Sequence, residues 1–161
     1  MFASGTLAYF GNAMGFGASD LEIPTAGGLV HDIGKTRLPL AILDKPGKLE
    51  AAEWDEMRRH PEYSREILLR ESDLDDHTLS MAVSHHEKLD GEGYPDGLKS
   101  IQISDLVRLT AICDVYSALI DRRSYKEPMT NESALDLMAS FEGHLDLDVL
   151  RAFRGFVLDK G

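Results

Sequence analysis

Apolar residues in this chain recur three and four positions apart almost everywhere, and no stretch sustains the alternation expected of a half-buried strand. The pattern predicts an all-α protein, a helical bundle of about seven or eight helices. A first helix is expected over residues 2–16, stopping among Gly15 and Gly17. Ser19-Asp20-Leu21-Glu22 reads as a capping box for the next segment, in which Pro24 fits only a first turn or a kink. From Thr25 the helical pattern continues to Gly34. Residues 36–48 read as a loop broken by Pro39, Pro46 and Gly47, with Leu38, Leu40, Ile42 and Leu43 as core anchors.

A helix over residues 50–59 should present Trp54 and Met57 on one face, and His60 should mark its end because Pro61 opens another. That helix runs to about Arg70 with Ile67 and Leu68 inward. Asp75 or Asp76 can cap a helix ending at His86, after which a glycine-rich loop reaches Ile103. Ser104 and Asp105 begin a longer helix whose Leu106, Leu109, Ile112, Cys113, Tyr116, Leu119 and Ile120 form a broad apolar stripe. Thr130 and Asp146 look like caps of two last helices, carrying Leu135, Met138 and Phe141, then Val149, Leu150, Phe153 and Val157.

Composition narrows the class. A length of 161 residues with 43% hydrophobic content suits one globular domain around one core. The balance of 17 basic and 28 acidic residues, a net charge of −11, disfavours non-specific binding to DNA, RNA or an anionic membrane, so an anionic ligand would need a local positive site. Cys113 is the lone cysteine, which excludes a disulfide framework and suggests a reducing cytoplasm. The first 19 residues carry no charge, yet glycines and polar residues interrupt them and no basic residue precedes the apolar run. They read as a buried amphipathic helix, not as a signal peptide or a membrane-inserted one.

The polar residues that remain are unusual in their placement. His31-Asp32, His60, His85-His86 and Asp114 each fall at a helix end or beside an apolar helical face, where a polar group must be satisfied. Each alone has a plain reading as a helix terminus or a solvated surface residue. Together they offer nitrogen and oxygen ligands without thiolate, which suits Mn, Fe, Co, Ni or Zn and argues against a structural zinc site. An Asp next to a His can bridge two metals, which would activate a water and clamp a phosphoester. Lys35, Arg122, Arg123 and Lys126 could hold phosphate oxygens or could be solvated helix ends. His77 and His144 read as capping or surface residues.

In order and spacing, His31-Asp32-Ile33-Gly34-Lys35, His60-Pro61, His85-His86-Glu87 with Asp90-Gly91 and Gly93-Tyr94-Pro95, and Asp114-Val115-Tyr116 followed by Arg123 and Lys126 resemble the HD-GYP domain. The resemblance covers nearly the whole chain. It implies an all-helical HD-superfamily phosphohydrolase that opens cyclic di-GMP to linear pGpG and in some members goes on to GMP. Carried over by motif, His31, Asp32, His60, His85, His86 and Asp114 are expected to bind two or three divalent ions, iron or manganese, with Asp32 bridging. Lys35, Arg123 and Lys126 are expected to hold phosphates, Lys35 also assisting the leaving oxygen, and Tyr94 to shape the loop beside the site. The resemblance further implies contact between that loop and diguanylate cyclase (GGDEF) domains, and it is compatible with a homodimer.

Two departures stand out. The family usually has a further His, and in three-metal members a Glu four residues before it, upstream of His31. No histidine precedes His31 here, so the expectation is either a first helix that starts upstream of Met1 or a metal site lacking an outer ligand. Ser117 occupies the place of a frequent Asp, which would weaken a contact to guanine. Three readings follow: an active cyclic di-GMP hydrolase, an impaired domain that signals by binding the dinucleotide or a cyclase partner, and a hydrolase of another nucleotide or cyclic dinucleotide.

Overall fold

Residues 3–17, 19–71, 73–121 and 127–159 are described by a computed structural model of the chain. Among them are nine α-helical segments and no strand: α1 (Ala3–Ala13), α2 (Glu22–Val30), α3 (Leu40–Leu43), α4 (Ala51–Met57), α5 (His60–Glu71), α6 (Asp76–Ser84), α7 (Asp105–Ile120), α8 (Asn131–Ala139) and α9 (Leu147–Leu158). Setting aside the single turn α3 leaves eight, in accord with the expected count. Two 3-10 turns, Ile33–Arg37 and Ser100–Gln102, complete the regular structure.

α7 forms the centre because it has almost no polar face. Val107, Leu109, Ala111, Ile112, Cys113 and Tyr116 are all buried, so the helix can take neighbours on several sides. It packs against α1, α2, α6, α8 and α9. Aromatic rings join α1, α7 and α9: Phe153 lies edge-on to Phe10 at 5.1 Å and to Tyr116 at 5.0 Å between ring centroids. A second layer, α2 and α5 against α6, stands beside it, and the 3-10 turn Ile33–Arg37 rests on α5.

The caps read from local sequence form as expected. Asp75 accepts from the backbone N–H groups of His77 and Thr78, Ser104 from Val107, Thr130 from Ser133, and Asp146 from Asp148 and Val149. Other expectations need correction. Ser19–Glu22 makes no capping box, because Leu21 already has helical dihedrals and the Asp20 carboxylate accepts from the N–H of Gly17. α2 ends at Val30, and the chain tightens into the 3-10 turn that carries Gly34. Leu38 is buried, but Leu40 on α3 is 72% exposed. Trp54 is also largely exposed, so the apolar face expected on α4 is only partly covered.

Candidate metal centre

Three histidines are positioned by one device used three times. A helix leaves its last carbonyls without intrahelical partners. His31 places Nδ1 2.8 Å from the carbonyl of Gly28, His60 2.8 Å from that of Met57, and His85 3.1 Å from that of Ala82, in each case three residues back. These carbonyls belong to the ends of α2, α4 and α6. A carbonyl oxygen can only accept, so each Nδ1 carries the proton and each Nε2 presents a lone pair.

All three lone pairs face Asp32. His31 Nε2 lies 3.4 Å from Asp32 Oδ2, and His60 and His85 Nε2 lie 3.3 and 3.8 Å from Oδ1. The His60 and His85 Nε2 atoms are themselves 3.5 Å apart. With the protons held on Nδ1, the His60 and His85 nitrogens are acceptors facing an acceptor, whereas His31, when doubly protonated, turns Nε2–H toward the two carboxylates. Accordingly, Asp32 Oδ1 is buried without a hydrogen-bond partner. A buried acceptor left unmade is costly, and a cation between these atoms would turn each repulsion into attraction.

His86 follows His85 at the turn ending α6, its ring 4.1 Å from that of His85 and stacked on Tyr94 at 4.8 Å and 24°. Asp114 comes from α7, with Oδ1 3.6 Å from His31 Nε2. Two groups of ligand atoms result, each lying within 4.8 Å of one another: Asp32, His60, His85 and His86, and His31, Asp32 and Asp114. Asp32 belongs to both. The donor set and the orphaned oxygen fit divalent ions.

Burial and neighbouring charge set the protonation. Burial lowers His85 to about 4 and holds His86 well below its ordinary range, with the charge of His85 adding to the effect on His86. Burial likewise lowers His60. For His31, burial is outweighed by the carboxylates of Asp114 and Asp32, and its pKa rises. Burial opposes ionisation of both aspartates, but Lys35 and His31 lower Asp32, while His31, His85 and His86 hold Asp114 far down. Both therefore stand as carboxylates at neutral pH. Lys35 Nζ is 2.6 Å from Asp32 Oδ2.

The remaining candidates are distributed as follows. Tyr94 lies beside His86, its ring 6.4 Å from that of His60. Arg123 and Lys126 lie outside the described residues, as does Arg122. Ser117 is buried, its hydroxyl without a hydrogen-bond partner. His77 is exposed; His144 is partly buried, stacked on Phe141 at 5.7 Å, because the loop after α8 folds under Leu89.

Two supporting residues had no role assigned from the sequence. Glu87 is only 3% exposed, and its carboxylate accepts from the N–H groups of Asp96, Gly97 and Leu98 at 2.7, 3.1 and 2.8 Å, which closes the loop holding Tyr94. Gly93 passes so close that a Cβ there would lie 2.4 Å from Glu87 Cα. Ser64 accepts from the Gly34 N–H at 2.9 Å and donates to the His31 carbonyl at 3.4 Å, tying the Asp32 turn to α5. A signal for Ser64 existed, since it lies one helical turn after His60 and shares its inward face. Glu87 belongs to the motif, but nothing local gave its role, because its partners lie nine to eleven positions away.

Known proteins resemble this chain in sequence and in fold. A family model described as HD domain matches residues 3–149. A cyclic di-GMP phosphodiesterase of Pseudomonas aeruginosa is 43% identical over 143 residues, covering 84% of this chain and 34% of the relative. A 3'3'-cGAMP-specific phosphodiesterase of Vibrio cholerae is 42% identical over 134 residues, covering 82% of this chain and 26% of the relative. The chain thus spans about a third or less of the length of these curated relatives. Among solved structures, an HDG"Y"P protein from Bdellovibrio bacteriovorus is similar with a TM-score of 0.79 at 20% identity, over 99% of this chain and 51% of that one.

Proposed function

Since the chain belongs to the HD domain family, we propose that it is a metal-dependent phosphodiesterase that hydrolyses cyclic di-GMP to pGpG, and that pGpG can be cut further to GMP. The observation that carries this reading is the Asp32 carboxylate, shared by two groups of ligand atoms, with one buried oxygen lacking any hydrogen bond. His60, His85 and His86 would hold one ion with Asp32, and His31 and Asp114 would hold another with it; a third ion would need further ligands. Iron or manganese bound there would supply an activated water and neutralise charge on the phosphodiester.

The chain's own residues have separate tasks. The Nδ1–H bonds to helix-end carbonyls orient the three imidazoles in advance, so that binding costs little reorganisation. Lys35 holds its ammonium against Asp32 Oδ2 and would present its other protons to a phosphate oxygen or to the leaving oxygen. Arg123 and Lys126, by the motif, would hold further phosphate oxygens. The relatives named for cyclic di-GMP come from bacteria, and they support that substrate and a role in cytoplasmic second-messenger signalling. No helix among the described residues is long and apolar enough to cross a membrane. The Gly93–Pro95 loop is the surface that would meet a diguanylate cyclase (GGDEF) domain.

A second reading, hydrolysis of another cyclic dinucleotide, is favoured by one observation: relatives equally similar to this chain are named for 3'3'-cGAMP. The test is anaerobic incubation of manganese-loaded or iron-loaded protein with each dinucleotide, with products resolved by chromatography and metal determined on the same sample. Linear pGpG is expected, with turnover reduced about 100-fold or more in Asp32→Ala. Faster opening of 3'3'-cGAMP would select the second reading, and intact substrates beside a fully metal-loaded protein would defeat both.

A further inference from the structure

An anionic chain that acts on an anionic dinucleotide needs positive charge at its mouth, and among the described residues most cations near this centre are already engaged. Lys35 is paired with Asp32. Arg59 is paired with Glu56 at 3.1 Å and lies over the Tyr63 ring. Arg58 differs from its neighbour. It is exposed, it follows the last residue of α4, and among the described residues its guanidinium meets no carboxylate. It is held instead by an aromatic face, with Cζ 5.8 Å from the centroid of Tyr94.

That face belongs to the centre. Tyr94 stacks on His86, and its hydroxyl is raised by burial while feeling the charges of Arg58, Asp114 and Asp32 together. Arg58 therefore stands one ring away from the ligand histidines, two residues before His60. The type of contact matters. A salt bridge would neutralise the guanidinium and occupy its fork, whereas a cation–π contact restrains the plane and leaves the charge and N–H donors free. A restrained, uncommitted fork suits bidentate binding of a phosphodiester.

We propose that Arg58, oriented by Tyr94, binds a phosphodiester group of the cyclic dinucleotide at the mouth of the metal centre. The inference rests on the preceding functional reading and adds to it a substrate contact outside the motif residues. Arg59 supplies the control: it carries the same charge one position away, but its fork is turned to Glu56.

The experiment compares wild type, Arg58→Ala, Arg58→Lys and Arg59→Ala by steady-state hydrolysis of cyclic di-GMP with manganese, and by equilibrium titration of the dinucleotide without added metal. In Arg58→Ala, KM and Kd should rise about tenfold or more, the loss of a charge-assisted bidentate contact, while kcat stays within about twofold. Arg58→Lys should recover part of the affinity, because an ammonium keeps the charge without the fork. Arg59→Ala, which removes the same net charge, should leave KM and Kd unchanged. Equal shifts in the Arg58→Ala and Arg59→Ala proteins, or no shift in either while wild type turns over normally, would overturn this inference alone. A wild type that neither binds nor opens a cyclic dinucleotide would overturn it together with the functional reading.

Discussion

His85 shows how a single buried side chain links the centre to stability. Its pKa is about 4 in the fold against 6.5 for the free imidazole. Between those values the unfolded chain binds a proton that the folded chain does not, so stability is complete above the upper value and is lost as pH falls toward the lower. From pH 7 to pH 5 the chelator-treated protein should lose about 2 kcal/mol through this group, a fall in Tm of roughly 4–8 °C. His60 and His86 shift in the same direction and add to the loss, while His31 opposes it. Calorimetry across that range is the check, and a constant Tm would mean that these imidazoles are not held neutral. The ligand types themselves were legible in the sequence, because His and Asp beside apolar helical positions require partners. The role of Glu87 was not, since it lies in three backbone N–H groups of a loop that only folding brings back to it.

At the scale of elements, the centre depends on how helix ends meet. α2, α4 and α6 each finish with a carbonyl that holds a histidine, and the turn carrying Asp32 must sit against α5 for the carboxylate to reach them. Gly34 permits that approach, since a Cβ there would lie 1.9 Å from the His60 carbonyl and 2.5 Å from the Ser64 nitrogen. Backbone on both sides cannot yield as a side-chain tip could. Gly34→Ala should cost about 3 kcal/mol of stability, at the upper end for overpacking. It should also lower bound metal per folded chain, because Asp32 and His60 would be pushed apart. Urea unfolding and metal determination test the two parts separately, and an unchanged urea midpoint would contradict the close approach. The caps at Asp75, Ser104, Thr130 and Asp146 were readable because their partners lie two or three residues on. The Ser19–Glu22 box failed because Asp20 found the N–H of Gly17 instead, a competition that local pattern alone does not decide.

On the scale of the whole molecule, the hydrophobic core and the polar centre occupy different layers joined by α7, which turns Tyr116 toward Phe153 on one side and Asp114 toward His31 on the other. Truncating Phe153, fully buried between Phe10 and Tyr116, should therefore cost about 3–5 kcal/mol while leaving metal stoichiometry of the folded protein unchanged. Denaturant unfolding with metal analysis below the transition measures both, and loss of metal from the folded variant would show that the layers are coupled. The all-α class and nearly every helix were determined by the sequence itself, because a helical period and its caps are written within a few residues. So was the inventory of candidate ligands. Tertiary structure alone decided that Leu40 and Trp54 stay exposed, that Asp32 Oδ1 is buried without a hydrogen bond, and that Arg58 is left uncommitted over Tyr94. The reason is physical: each of these depends on which groups from distant segments arrive within a few ångströms, and local periodicity carries no information about that.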